Sequence, residues 1–366
     1  MSTPIDNLDI PSSDATVSVK AFNTLDAEKS YVPAAFFMTP VLPGREQMYA
    51  PAFAFLIENP RLGRRVMFDL GQRDVTTGTP PVVEMVNQVG AVFVADDVVD
   101  QLVSNNIDLE SINSVIWSHI HFDHIGDTGR FPSSTELVVG RGTDLTTYPT
   151  NPASTLLDRD IQGRQVRELS YDALKIGGFD AHDFFGDGSL YLLDCPGHVG
   201  GHTCALARVE PQSFVFLGGD ICHHPGQFRP TEALHRTVMC PGHILAGAHK
   251  AISTEHFGST GAEGTFDLTK RTEPMLDIVE GGVHEDSTAA KNAIRQLLAF
   301  DASHDVLVVI AHDLTLVGEL PLYPESIDDW KKTGLKEKVT WAGFEEENSS
   351  FRYSDCSNRL CTSVRL

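Results

Sequence analysis

The chain has 366 residues, of which 41% are hydrophobic and 21% are charged, a composition typical of a folded globular protein and not of a disordered or fibrous one. Fifty acidic residues against 28 basic ones give a formal charge of −22, which argues against nucleic acid and anionic membranes as partners. No apolar run reaches the roughly 18 residues that a membrane-spanning helix needs, and the first 20 residues lack a secretory signal. We therefore expect a cytoplasmic protein.

The predicted elements follow a polar N-terminal arm at residues 1–14. Apolar runs between turn residues predict strands, at 16–22, 52–58, 65–69, 112–117, 137–139, 190–193, 204–209, 213–217 and 306–310. Apolar residues at helical spacing predict helices at 92–103 and 289–300, and a loop rich in Pro and aromatic residues is expected at 33–50. Strands with helices between and after them predict an α/β (α+β) domain in which helices cover the sheets.

One long segment, residues 221–288, lacks clear periodicity and is rich in His, Gly, Pro and Thr. Long irregular segments inside compact domains are usually functional lids or mobile loops. A solvated insertion without a role fits the same pattern equally well. The sequence therefore predicts an insertion here and leaves its role as a lid open.

The most informative motif is the run His119-Ile120-His121-Phe122-Asp123-His124, which follows the predicted strand at 112–117. In extended backbone the side chains of His119 and His121 point the same way, and the turn that follows lets Asp123 and His124 face a neighbouring point. Imidazole and carboxylate are ligands that zinc and similar divalent metals prefer. Chance would produce H-x-H-x-D-H on the order of 0.002 times in a chain of this composition, so the motif predicts a metal site.

Further metal ligands are expected from other strand ends, because six adjacent residues cannot close a site for two metals. Three predicted strands are followed by a suitable side chain: His198, Asp220 and His312. Each is a weak signal alone, since a lone His is more often structural. Together with the motif at 119–124, and in this order along the chain, they support the metal hypothesis.

With these motifs the chain resembles the metallo-β-lactamase superfamily, in particular its branch of N-acyl-homoserine lactonases and related small-molecule hydrolases. The resemblance runs from about residue 15 to residue 318. It implies a four-layer αββα sandwich in a single domain over residues 15–366, with the metal site at one edge between the two sheets. The segment 221–288 would be an insertion into that domain.

The resemblance also implies a role for each candidate ligand. One metal would be held by His119, His121 and His198, the other by Asp123, His124 and His312, and Asp220 would bridge both. Asp69, in Phe68-Asp69-Leu70-Gly71, matches an early strand-end motif of the family and is expected to support the site without binding metal. Two zinc ions are expected, although iron, manganese and cobalt accept the same mixed ligands.

A mechanism follows from this ligand set. Two zinc ions that share a hydroxide keep it nucleophilic near neutral pH, and one metal polarises the substrate carbonyl. Asp123 would accept the proton of the nucleophile and pass it to the leaving group. An ester, lactone, lactam or thioester carbonyl suits this arrangement.

Departures from the family pattern narrow the range of functions that the resemblance implies. The lactonases carry a substrate-contacting Tyr three residues after the bridging Asp, where this chain has His223. The commonest zinc β-lactamases have Cys in place of Asp220, and flavo-diiron members have Glu in place of His121. The run at 223–230 resembles fungal members, some of which open lactam rings of plant defence compounds. The sequence thus predicts a dinuclear zinc hydrolase that opens a lactone or lactam ring of a small molecule, such as a xenobiotic or a plant defence lactam.

Substrate contacts are expected from Met48, Tyr49 and His223, around an apolar cleft over the metals. His223 is also a catalytic candidate, because an imidazole there would donate to the ring carbonyl or protonate a leaving nitrogen, and a surface His without a role is the open alternative. Two other functions stay open. One is a thioester hydrolase similar to glyoxalase II, although no basic cluster for a glutathione carboxylate is evident near the motifs. The other is a metal-binding protein without catalysis, although such a protein normally loses a ligand. The oligomeric state is not predicted.

Overall fold

The computed structural model describes residues 8–41, 46–171, 174–239 and 273–344. The strands of these ranges are, in chain order, β1 (Ser18–Asn23), β2 (Tyr31–Pro33), β3 (Gln47–Tyr49), β4 (Phe53–Asn59), β5 (Arg64–Phe68), β6 (Ser114–Ile116), β7 (Glu136–Val139), β8 (Val166–Glu168), β9 (Leu174–Ile176), β10 (Phe179–Asp183), β11 (Leu190–Asp194), β12 (Thr203–Glu210), β13 (Ser213–Leu217) and β14 (Val306–Val309). The α-helices are α1 (Pro80–Val89), α2 (Val98–Ser104), α3 (Asp158–Ile161), α4 (Glu232–Thr237), α5 (Ser287–Ala302), α6 (Trp330–Thr333) and α7 (Leu335–Thr340).

Two six-stranded sheets carry the fold. The first has the order β1-β4-β5-β6-β7-β8, antiparallel from β1 to β5 and parallel from β5 to β8. The second has the order β14-β13-β12-β11-β10-β9, in which only the β13–β14 pair is parallel among the described strands. Parallel neighbours end at the same edge of a sheet, so β5 with β6, and β13 with β14, present their carboxyl ends together.

Apolar side chains from both faces of the sheets are buried, which explains why several strands read as continuous apolar runs. Between the sheets lies a core that includes Phe55, Phe68, Leu192, Val215 and Leu307. The outer face of the second sheet packs on α5, in a cluster that includes Phe216, Leu297 and Phe300. The outer face of the first sheet packs on α2, in a cluster that includes Met67, Leu102 and Val115. Helices therefore cover both sheets, which confirms the four-layer αββα sandwich.

The structure corrects several predicted boundaries. The helix predicted at 92–103 begins only at Val98, because Asp97 caps it by accepting a hydrogen bond from the backbone N–H of Val99 at 2.8 Å. The preceding residues are extended: the N–H groups of Val92 and Asp96 donate to backbone carbonyls of the segment 24–31. Partners distant in sequence thus override the local helical spacing. The sequence does not predict helix α1. The loop predicted at 33–50 overlaps the end of β2 and contains β3, and these two strands pair as a small antiparallel hairpin.

The segment 221–288 is described only at 221–239 and 273–288, so the prediction of a lid lies partly outside the described residues. Its described parts are integrated into the core. The guanidinium of Arg229 is buried and donates to both carboxylate oxygens of Asp301, at 3.0 and 2.8 Å. The backbone N–H groups of Thr39 and Asp277 donate to each other's carbonyls at 2.9 and 2.7 Å, which joins the segment to the loop before β3.

The extent of the domain stays a prediction, since residues 1–7 and 345–366 lie outside the described ranges. In the part of the chain that the structure describes, we find no helix with the length and apolar character needed to cross a membrane.

Candidate metal centre

The candidate ligands lie where strands of both sheets end at one edge of the sandwich. The motif at 119–124 follows β6, and His198 lies in the loop after β11. Asp220 and His312 follow the parallel neighbours β13 and β14. Backbone hydrogen bonds tie the sheets together here: Thr203 N–H donates to Ser118 O at 2.8 Å, and Phe53 N–H to Ala311 O at 3.2 Å. The two sheets therefore deliver their strand-end side chains to one place.

The turn after β13 aims Asp220 at this edge. Gly219 adopts a φ of 49°, and a Cβ there would lie 2.9 Å from the Cβ of Ser118. Only glycine fits both the left-handed backbone and this close approach. The glycine thus lets the two strand ends meet without a steric clash.

The first group of ligand-type side chains consists of His119, His121, His198 and Asp220. The Nδ1 atom of His121 lies 2.9 Å from the Nε2 atoms of both His119 and His198. The Oδ2 atom of Asp220 lies 3.3 Å from His198 Nε2 and 3.7 Å from His119 Nε2. Ligands bonded tetrahedrally to one zinc at about 2.0–2.1 Å are roughly 3.3 Å from each other, so the spacing of these atoms fits one ion.

The second group consists of Asp123, His124 and His312. The Nε2 atoms of the two imidazoles are 3.3 Å apart, and Asp123 Oδ2 lies 3.6 Å from His312 Nε2. The other carboxylate oxygen of Asp220, Oδ1, lies 3.1 Å from His124 Nε2 and 3.2 Å from His312 Nε2. Asp220 therefore presents one oxygen to each group.

The electrostatics of the cluster also fit bound cations. Burial and neighbouring imidazoles lower the pKa of His119 and His198 well below the usual value, which keeps both rings neutral and able to bind metal. Burial alone would raise the pKa of the Asp220 carboxyl, yet the neighbouring imidazoles of His124 and His312 hold this pKa well below its usual value. The Oδ1 atom of Asp220 is buried, and although the Nε2 atoms of His124 and His312 lie 3.1 and 3.2 Å away, neither contact has the geometry of a hydrogen bond. A buried carboxylate oxygen without a donor requires another partner, and a metal ion suits it.

Asp69 supports the site as expected, without joining either group of ligands. Its Oδ2 atom lies 2.9 Å from His124 Nδ1, and its Oδ1 accepts a hydrogen bond from the backbone N–H of Ser118 at 2.6 Å. The hydroxyl of Ser118 donates to Asp69 and lies 3.0 Å from His119 Nδ1. The carbonyl of Pro51 lies 2.8 Å from His312 Nδ1. Such contacts fix which ring nitrogen of each His is free to bind metal.

Two buried histidines at the site were not assigned from the sequence. His202 Nδ1 lies 3.0 Å from the carbonyl of Cys195, and its Nε2 accepts a hydrogen bond from the backbone N–H of Asp220 at 3.0 Å. Burial lowers the pKa of His202 to about 4, so the ring stays neutral and can accept this bond. His284, from the segment before α5, lies beside His198 with ring centroids 5.0 Å apart.

A small, mostly apolar cleft with an accessible volume of about 20 Å³ opens beside the second group of ligands. Asp123 and His312 lie in its wall, and the remaining described lining residues are Leu25, Ser30, Tyr31, Val32, Phe37, Met48, Ala50 and Phe93. Met48 therefore occupies the predicted position. Tyr49 lies on the other face of β3, is 38% exposed and packs against Tyr31. The structure thus places Met48, but not Tyr49, in the cleft.

His223 is buried next to the candidate metal ligands. Its Nε2 atom lies 3.1 Å from Asp220 Oδ2, and its ring packs against Phe37 with centroids 4.8 Å apart. Its Nδ1 atom has no hydrogen-bond partner among the described residues. Because Phe37 lines the cleft, His223 lies behind the cleft wall and touches the carboxylate of Asp220. The structure therefore does not place His223 among the described lining residues, where a substrate contact was predicted.

Comparisons with known proteins agree with this geometry. The sequence profile of the Metallo-beta-lactamase superfamily matches residues 51–219. A metallo-hydrolase of Annulohypoxylon moriforme is 38% identical over 91% of this chain and 88% of its own length. A gamma-lactamase of Fusarium pseudograminearum is 38% identical over 91% of this chain and 83% of its own length. A solved N-acyl homoserine lactone hydrolase, 14% identical, matches the fold with a TM-score of 0.56 over 86% of this chain and all of that one.

Proposed function

The chain belongs to the metallo-beta-lactamase superfamily and is a metal-dependent hydrolase, and we propose that it uses two zinc ions to open a lactone or lactam ring of a small molecule. The observation that carries this proposal is the convergence of two ligand groups on the two oxygens of Asp220, beside an apolar cleft. The first ion would be held by His119, His121 and His198, the second by Asp123, His124 and His312, and Asp220 would be shared.

The choice of zinc is supported by the donor set. Imidazoles and carboxylates at these spacings suit zinc, and iron, manganese or cobalt would accept the same atoms. When bound, the ions would supply an activated water and polarise the carbonyl of the substrate. The chain itself holds the ligands in place through Asp69, Ser118 and His202, and gives access to the site through the cleft.

An uncharged substrate is supported by the residues that line the cleft. Its described lining residues are mostly apolar, and none of them is Lys or Arg. An anionic substrate such as a glutathione thioester normally requires a cation at the site, so this lining favours a neutral lactone or lactam. A relative named gamma-lactamase supports the lactam within this class. A xenobiotic or plant defence lactam, and a cytoplasmic location, remain predictions from the sequence.

The function is tested with purified protein on a matched panel of lactones, lactams and thioesters. We expect about two zinc ions per chain by elemental analysis, turnover of a lactone or lactam, loss of turnover with a chelator, and recovery when zinc is added. Turnover of thioesters alone would assign the glyoxalase-like function instead. Two bound metals without turnover of any ester or amide would assign a metal-binding protein, and only trace metal in active protein would exclude the dinuclear site.

The sequence predicts that His223 acts on the leaving group, although its ring lies behind the cleft wall and against Asp220, and this role can be tested. An imidazole can donate a hydrogen bond to the ring carbonyl, and its protonated form can protonate a leaving nitrogen, which an amide needs more than an ester does. We expect His223→Phe to reduce kcat/KM by about 10²-fold on a lactam and by less on a lactone of the same ring size. The control, His223→Gln, keeps a donor for Asp220 but cannot deliver a proton. Equal and small losses on both substrates, with normal metal content, would remove His223 from the mechanism.

A further inference from the structure

The proton on His198 has a defined place if this ring binds metal. Its Nε2 atom belongs to the first ligand group, 2.9 Å from His121 Nδ1 and 3.3 Å from Asp220 Oδ2. A ring nitrogen that binds metal carries no proton, so the proton of the neutral imidazole must be on Nδ1. Because His198 is buried, this N–H needs an acceptor within the protein.

The acceptor that the structure offers is another imidazole. The Nδ1 atom of His284 lies 3.4 Å from His198 Nδ1, and among the described residues no other hydrogen-bond partner of that atom is found. The two rings meet edge to face at 75°. His284 is only 4% exposed, so water does not compete freely for the bond. For His284 to accept, its own proton must be on Nε2, a buried atom without a hydrogen-bond partner among the described residues.

Backbone contacts hold the two histidines in this arrangement. The N–H groups of Glu285 and Asp286 donate to the carbonyls of His198 and Gly197 at 2.9 and 3.0 Å, and Glu285 Oε2 accepts from the N–H of Gly200 at 2.8 Å. Gly197 has a φ of 130°, and a Cβ there would lie 2.1 Å from the backbone nitrogen of Ala290. The residues before α5 therefore dock directly on the loop that carries His198.

We propose that His284 is a positioning residue that accepts the Nδ1–H hydrogen bond of His198 and thereby fixes the tautomer and ring orientation of this metal ligand. The inference rests on the metal centre proposed above. Buried metal-binding histidines usually donate their second N–H to a carboxylate or carbonyl, and here an imidazole takes that place. His284 acts through His198 and touches neither substrate nor metal.

The test measures metal binding by the full chain after the metals have been removed, with a chromophoric chelator as competitor for zinc. We expect His284→Ala to weaken one of two zinc sites by about 10- to 100-fold and leave the other within a few fold of wild type. His284→Asn should restore most of this affinity, because the amide oxygen of Asn takes the place of His Nδ1. His284→Gln, whose amide lies one bond further out, should not. His235→Ala, at a ring that stacks on Trp341 instead, is the matched control and should bind zinc as wild type does.

Cobalt substitution provides a second readout. The visible spectrum of the cobalt protein should change in His284→Ala and return in His284→Asn, since it reports ligand geometry and not activity. Wild-type protein that binds fewer than two metals would reject the proposed dinuclear centre, not this inference. Wild-type protein that binds two, with His284→Ala equal to it in both affinities and spectrum, would overturn the inference. If His284→Ala does not fold, equal zinc affinity in His284→Asn and His284→Gln would overturn the inference.

Discussion

Replacing Asp220 by Ala is expected to lower the occupancy of both metal sites together and to reduce turnover by more than about 100-fold. The removal of a group that only orients a metal ligand typically costs 10- to 100-fold in metal affinity or activity, and a ligand shared by two ions should cost more. The measurement is elemental analysis of the purified variant beside kcat/KM on the best substrate of the panel.

The geometry explains why the two losses should be coupled. Oδ2 of Asp220 faces His198 and His119, whereas Oδ1 faces His124 and His312, so the carboxylate belongs to both groups. It is also the buried negative charge that His124 and His312 surround. Without it, each group loses one of its four ligand atoms, and two cations would be brought close together with less negative charge between them.

A matched control separates this effect from general damage. Asp194 also ends a strand, but its carboxylate faces Arg141 at 2.7 Å and belongs to neither ligand group. Asp194→Ala should therefore keep both metals. If Asp220→Ala were to lose one metal and keep the other at wild-type affinity, Asp220 would not be shared, and the assignment of the bridging ligand would be wrong.

The sequence predicted those parts of the molecule that depend on local chemistry. Apolar runs located most of the strands that carry the site, and a His or Asp in the loop after a strand marked each candidate ligand. These signals work because a strand end fixes where the next side chain is placed. The structure brings all seven ligand candidates into two neighbouring groups. The assignment of the ions to them remains a proposal.

The parts that could not be predicted depend on partners far away in the sequence. His284 is 86 residues from His198, in a segment without periodicity, and only the packing of α5 brings the two together. His202 acts on the backbone N–H of Asp220, which no sequence pattern encodes. Met48 and Tyr49 are neighbours on β3, so their side chains lie on opposite faces of the β2–β3 hairpin. The register of this short hairpin decides which of the two faces the cleft, and the sequence alone does not reveal that register.

Asp123 is a partly exposed candidate ligand in the wall of the cleft, which leads to the last prediction. Asp123 lines the cleft, and its side chain is 16% exposed, whereas those of His124 and His312 are buried more deeply. A carboxylate at this position can accept the proton of the attacking water and pass it to the leaving group while also serving as a ligand. Two roles would then be lost when it is replaced, and they can be measured separately.

Asp123→Asn keeps the shape of the side chain and an oxygen that can bind metal, but it can no longer carry a proton at neutral pH. We expect kcat to fall by about 10²-fold or more while KM changes little, because proton transfer stabilises the transition state and not the bound substrate. Asp127→Asn is the matched control, since that carboxylate lies in the same loop but faces Arg73 and Arg159 at 4.0 and 3.6 Å. Near-normal turnover of Asp123→Asn with full metal content would show that Asp123 only orients other residues, and the proton would then need another carrier at the cleft.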